Sequence, residues 1–140
     1  MNCPFCNLNE KVNRIIFEGK TVFVIPSNPR LTEGHLLVIP KRHIEIPSEM
    51  TTEERSEIFN TVLDFQSKLA SKFGDGCDIR ENYRPSVPEN DLKVDHIHFH
   101  LIPRTLDDQI YQVYEKFQRD VFHKMPDDEL QESVNLFKNL

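Results

Sequence analysis

The chain has 140 residues, 38% of them hydrophobic and 29% charged, with a net charge of −6. That is enough for one domain with its own core, of ordinary globular composition. The acidic balance argues against a general nucleic-acid-binding surface, so no duplex is expected as a partner and an anionic ligand must be met by local cations. No apolar run approaches the ~18 residues of a membrane span, and the N-terminus lacks the basic-then-apolar pattern of a signal peptide, which points to a cytoplasmic protein.

From the N-terminus, Cys3-Pro4-Phe5-Cys6 is a C-x-x-C, while Cys77 stands by itself in a Gly-rich turn. Three cysteines are a poor count for a disulfide framework. Taken alone, the motif leaves open a redox pair, a structural zinc half-site, or no role. A redox role fits less well, because the motif does not open a helix after a strand. Zinc would need two further ligands, and histidines are available. Residues 14–17 and 21–25 flank Glu18-Gly19-Lys20 and predict a hairpin. Leu36 to Ile39 is a short apolar strand ended by Pro40. Thr51-Thr52-Glu53-Glu54 has the form of a capping box. Phe59, Val62, Leu63, Leu69, Ala70 and Phe73 then recur at helical spacing up to Gly74, which predicts a helix of about 20 residues with one face on a sheet. Ile79 begins another extended stretch, broken by Pro85 and Pro88.

Residues 94–104 read Val-Asp-His-Ile-His-Phe-His-Leu-Ile-Pro-Arg. In an extended strand this places His96, His98 and His100 on one face and Ile97, Phe99 and Leu101 on the other, with Cα atoms of successive histidines about 6.5–7 Å apart. That spacing is too long for all three imidazoles to meet one ion at metal–nitrogen distances of ~2 Å, so a three-histidine catalytic metal centre is not expected. After Arg104, Ile110, Val113, Tyr114, Phe117 and Val121 predict a helix from near Asp107. Pro126 suits the first turn of a final helix carrying Leu130, Val134 and Phe137. Strands, one long helix, strands and further helices make an α+β domain with a mainly antiparallel sheet. We read residues 1–140 as one domain, with a core over 1–104 and a C-terminal helical extension over 105–140.

The His-φ-His-φ-His-φ-φ pattern of His96 to Ile102, where φ is apolar, resembles the signature of the histidine triad (HIT) family of nucleotide hydrolases and transferases. The segment Gly34-His35-Leu36-Leu37-Val38-Ile39-Pro40-Lys41-Arg42-His43 is similar to one the family carries upstream. The resemblance spans about the first hundred residues and implies a HIT-like fold and a two-fold homodimer. It also implies a structural zinc held by Cys3, Cys6, His43 and His96, as in zinc-bearing members. It implies that His98 is the nucleophile and that His100 contacts phosphate oxygens or the leaving group. His35 would buttress the catalytic ring, with Ser27 and Asn28 where the family contacts ribose, and Arg104, which continues the motif, among the substrate-binding residues. The chain departs from the family before the triad. Where relatives have a Gly-rich run ending Gly-Gln-Ser/Thr, it has Asp91-Leu92-Lys93 and no glycine, in a longer loop. Lys93 as a point charge, and Arg80 or Arg84 as a bidentate fork, are expected to replace the backbone cradle. The resulting expectation is hydrolysis of a nucleotide or dinucleotide polyphosphate at the α-phosphorus through a nucleotidyl-histidine. Nucleotidyl transfer or phosphorolysis, and a non-catalytic nucleotide-binding scaffold, are the alternatives.

Overall fold

The computed structural model describes residues 2–8, 15–138 and 140; Arg14, assigned above to the hairpin, lies outside them. Strands β1 (Phe17–Glu18) and β2 (Val22–Pro26) form the expected hairpin, with Phe17 opposite Val24. Strand β3 (Leu36–Pro40) pairs antiparallel with β2, then a helix α1 (Thr52–Phe73) precedes β4 (Gly76–Arg80) and β5 (Phe99–Arg104). The sheet order is β1-β2-β3-β5-β4, and every pairing is antiparallel. No helix among the described residues is long and apolar enough to cross a membrane.

Alternation along the strands sorts the side chains onto two faces. Val22, Val24, Val38 and Leu101 point to α1, where Ile58 and Val62 complete a closed core. Ile25, Leu37 and Ile39 point the other way and are covered by Phe5, Leu8 and Ile15. The N-terminal segment therefore roofs the face that carries the histidines. Helix α1 begins on the expected capping box: Thr51 Oγ1 accepts from the Glu54 N–H, and the Glu54 carboxylate accepts from the Thr51 N–H at 2.8 Å. The same carboxylate takes a bidentate contact from Arg42 at 2.9 Å, joining the helix start to the end of β3. One turn on, Glu57 accepts the Lys20 and Thr21 N–H groups of the hairpin turn.

Several expectations are corrected. The buried face of α1 is Glu54, Ile58, Thr61, Val62 and Leu69; Phe59 and Leu63 are half exposed, because the stripe that meets the sheet runs one residue earlier. Phe59 still touches Phe99 edge-on at 5.6 Å. Cys77 is in β4 and not in a turn, since that strand starts at Gly76. Regular strand pairing begins at Phe99, so of the three histidines it includes only His100: His96 and His98 lie in an irregular extended lead-in, although Ile97, Phe99 and Leu101 remain buried. The single helix expected after Asp107 is a short α2 (Gln109–Val113) capped by Asp108, followed by a 3-10 segment (Glu115–Val121). The break at Tyr114 turns Glu115 toward Arg104. A last helix, α3 (Asp127–Phe137), has no buried residue.

Candidate functional site

The first cluster is built at the N-terminal turn, where the Cys6 N–H donates to the Cys3 carbonyl at 3.2 Å. Cys3 Sγ lies 3.4 Å from His96 Nδ1, and Cys6 Sγ lies 3.3 Å from His43 Nδ1 and 3.6 Å from His96 Nδ1. The four ligand atoms all fall within 4.8 Å of one another. Sulfur and nitrogen bound tetrahedrally at ~2.3 and ~2.1 Å would stand about 3.6 Å apart, so the donor set and its spacing fit a closed Cys2His2 metal site. The outer ring nitrogens are oriented to match. His96 Nε2 donates to the Pro40 carbonyl at 2.8 Å, and His43 Nε2 faces the Glu45 carboxylate at 3.0 Å, which leaves both Nδ1 lone pairs for a metal. All three cysteines are free thiols.

The second cluster follows along the same face. A carbonyl oxygen can only accept, so His98 Nδ1, 2.7 Å from the His96 carbonyl, carries the proton and Nε2 keeps its lone pair. A backbone N–H can only donate, and the Leu31 N–H meets His35 Nδ1 at 3.0 Å. His35 is therefore protonated on Nε2, which donates to His100 Nδ1 at 2.9 Å. His100 in turn holds its remaining proton on Nε2, as a donor. Two backbone groups thus dictate one lone-pair imidazole and one donor imidazole, with ring centroids 4.8 Å apart. Burial keeps all three neutral. It lowers the His98 pKa, lowers that of His100 to about 3 with help from His98, His35 and Arg80, and lowers that of His35 to about 4 with help from Arg80 and His98. Gly34, with φ +82°, sets the turn into His35; a Cβ there would stand 2.7 Å from the Phe73 ring.

A cavity of about 730 Å³ opens beside these rings, and His35, His98, His100, Ser27 and Asn28 all line it. Its apolar wall includes Phe5, Ile25 and Leu37. Phe5 was not singled out from the sequence, yet its ring meets His98 edge-on at 5.1 Å and His96 at 5.7 Å. Its place between the two cysteines was the available signal. Ser27 Oγ donates to the Pro29 carbonyl at 2.9 Å, which leaves its lone pairs free to accept.

The expected cations are not brought to this cavity. Lys93 forms an ion pair with Asp95. Arg84 lines a smaller cavity of about 210 Å³ on another side of His98, with Glu45, Glu81 and Tyr83. Arg104, expected among the substrate-binding residues, lines neither of these cavities. Its guanidinium bonds to Asp78 at 2.6 Å, Asp108 at 2.7 Å and Glu115 at 2.5 Å, so its donors are engaged in holding α2 and the 3-10 segment to β5 and β4.

An antiparallel five-stranded sheet roofed by a Cys2His2 turn, with alternating histidines beside an apolar cavity, defines a histidine-triad α+β domain. The HIT domain model matches residues 9–107, and the chain belongs to this family of nucleotide hydrolases and transferases. It is 32% identical over 105 residues to an uncharacterised HIT-like protein of Methanocaldococcus jannaschii, covering 73% of this chain and 78% of that one. It is 28% identical over 110 residues to a bis(5'-adenosyl)-triphosphatase of Dictyostelium discoideum, covering 74% of this chain and 72% of that one. Among solved structures, a HIT family member from Bacillus subtilis aligns with a TM-score of 0.71 at 27% identity over 100% of this chain and 98% of that one. A zinc-bound histidine triad protein from Mycobacterium smegmatis aligns with a TM-score of 0.65 at 25% identity, over 92% and 86%.

Proposed function

We propose that this chain hydrolyses a nucleotide or dinucleotide polyphosphate at the α-phosphorus through a covalent nucleotidyl intermediate on His98. The observation that carries the reading is the His98 Nδ1–H bond to the His96 carbonyl, which leaves the Nε2 lone pair beside the cavity. In the first step Nε2 attacks the α-phosphorus, a P–N bond forms and the P–O bond to the leaving group breaks. The departing oxygen takes the electron pair and is met by the Nε2–H of His100. In the second step water attacks the same phosphorus, the P–N bond returns its pair to His98, and the proton of the water passes to the departed phosphate group or to bulk solvent, while His100 keeps its own proton and donates only a hydrogen bond. The products are a nucleoside monophosphate and the released phosphate-bearing group. The triphosphatase activity in the name of the Dictyostelium relative supports this substrate class. With phosphate or a second nucleotide in place of water the same intermediate would give a transferase. A scaffold without catalysis would have no need of the two opposed tautomers at His98 and His100.

The Cys3, Cys6, His43 and His96 set is read as a structural zinc site, supported by its tetrahedral spacing and by the zinc-bound relative. Zinc there would tie the N-terminal turn to the end of β3 and to the triad lead-in, and no step of the reaction runs through it. We place the protein in the cytoplasm. We take its working form to be a homodimer, supported by apolar side chains left open on the C-terminal extension, such as Phe122 and Leu136; light scattering on the full chain checks this.

The decisive experiment is mass spectrometry at neutral or alkaline pH after brief incubation with a panel of nucleotide polyphosphates. A nucleoside-monophosphate adduct on His98 is expected. An adduct on another residue, or turnover without any adduct, would overturn the mechanism.

A further inference from the structure

Strand β4 ends on Arg80, one of the two arginines expected to replace the backbone cradle, and the mechanism above leaves it without a role. The β4–β5 register sets Arg80 directly opposite His100, so the two side chains project on the same face. In the order β3-β5-β4, His100 stands between Leu37, which lines the large cavity, and Arg80, which does not. Arg80 therefore flanks the reacting histidines from the side away from the nucleoside-sized cavity. Among the described residues it forms no hydrogen bond and no ion pair, although it is half-buried. The other cations near the triad are engaged: Lys93 by Asp95, and Arg104 by three carboxylates. Glu115 feels the charge of Arg80, but both of its oxygens are bonded to Arg104. Arg80 also acts on His35 and His100, helping to hold both imidazoles neutral, so it lies within electrostatic reach of the ring that meets the departing oxygen. A half-buried guanidinium with no ion pair among the described residues, beside two neutral rings, is a site for an anion supplied from outside.

Resting on the reading of His98 as nucleophile, we propose that Arg80 binds the phosphate oxygens beyond the scissile bond, so that this chain selects substrates whose leaving group is itself an anionic phosphate. The substrate then lies across the sheet, with the nucleoside in the cavity on the β2–β3 side, the α-phosphorus at His98 and the distal phosphate on the fork of Arg80 over β4. This supplies a charged side chain where the loop before the triad has no glycine to offer backbone N–H groups.

The test compares two substrates that share a nucleoside and an α-phosphorus and differ in the leaving group: a dinucleoside triphosphate, and a nucleoside phosphoramidate that releases an amine. Arg80→Gln should lower kcat/KM for the triphosphate by roughly 10–100-fold, the scale of one charge-assisted bidentate contact, and for the phosphoramidate by no more than about 3-fold. Arg80→Lys should fall between wild type and Arg80→Gln on the triphosphate, because it restores the charge without the fork. An equal loss on both substrates, or no loss on either, overturns the proposal. Thermal midpoints of both variants report folding. A wild type that turns over neither substrate and forms no adduct would defeat the hydrolase reading. In that case calorimetric binding of inorganic tripolyphosphate still decides the role of Arg80. Binding weakened at least 10-fold in Arg80→Gln upholds an anion site, and equal binding removes it.

Discussion

The carbonyl of His96 and the N–H of Leu31 set the tautomers of His98 and His100, so under the proposed mechanism the losses of the two histidines should differ in kind. His98→Ala should abolish the adduct and lower turnover by several orders of magnitude, as removal of a nucleophile does. His100→Ala should slow the reaction by about 10²–10³, the loss of one charge-stabilising donor, while still permitting some adduct. Near wild-type turnover by His98→Ala would sink the scheme. Burial of these rings also has a stability consequence. His35 and His100 take up a proton only near pH 4 and 3 when folded, against ~6.5 for an exposed imidazole. Between those values the unfolded chain binds more protons than the folded one, so stability rises with pH. The full stability is present above about pH 6.5 and is lost as pH falls toward 4 and 3, at up to about 1.4 kcal/mol per pH unit for each ring. Urea midpoints measured from pH 7.5 down to 4.5 should therefore fall less steeply for His35→Gln than for wild type. Parallel curves would show that His35 is not held neutral by the fold.

At the scale of elements, the N-terminal turn both carries two of the four proposed metal donors and roofs the site with Phe5. Purified protein should hold about one zinc per chain, and Cys3→Ser or His43→Ala should lose it and lower the thermal midpoint, because metal-binding free energy is also folding free energy. Glu45→Gln should weaken metal affinity by roughly 10–100-fold by loosening the ring of His43. Absence of any transition metal from protein prepared without chelator would overturn the four-residue assignment. The C-terminal extension depends on a different device. Arg104→Met would leave Asp78, Asp108 and Glu115 facing one another, with Asp108 and Glu115 largely sheltered. We expect a loss of about 2–3 kcal/mol, below the range for fully buried pairs because Asp78 is half exposed. Proteolysis should then cut first near residues 105–121. Unchanged protease resistance would mean that other contacts hold the extension.

For the whole molecule, one sheet serves two purposes. Its α1 face is a closed apolar core, and its other face carries in sequence the Cys2His2 cluster, the proposed nucleophile His98, the donor imidazole of His100 and the Arg104 clamp. Strand alternation makes the division, since each histidine projects away from the core that its neighbours fill. His100 stands on the regular strand β5, while His96 and His98 lie in the irregular lead-in that ends the long connection from β4. The apolar residues of α3, open in the single chain, give the oligomerisation experiment its rationale.

Local rules made much of this legible without coordinates. Thr51 and Glu54 announce the start of α1 because a capping box needs only four consecutive residues. The alternation of His96, His98 and His100 with Ile97, Phe99 and Leu101 announces the two faces because side-chain period is a property of the extended backbone itself. The family resemblance then supplied roles for the histidines and cysteines that spacing alone left open. What the sequence could not decide was which long-range partner each charged or titratable group would meet. Arg80, Arg84, Lys93 and Arg104 read alike as local cations. Only the β4–β5 register puts Arg80 beside His100, and only the fold of α2 and the 3-10 segment surrounds Arg104 with carboxylates. The tautomers were equally hidden: the Leu31 N–H and the His96 carbonyl are near in sequence to the rings they orient, but the His35–His100 bond and the Pro40 carbonyl on His96 join segments 65 and 56 residues apart. Backbone period and capping act over a few residues and are written locally; charge pairing and proton placement depend on distances of a few ångströms between distant segments, which tertiary structure alone determines.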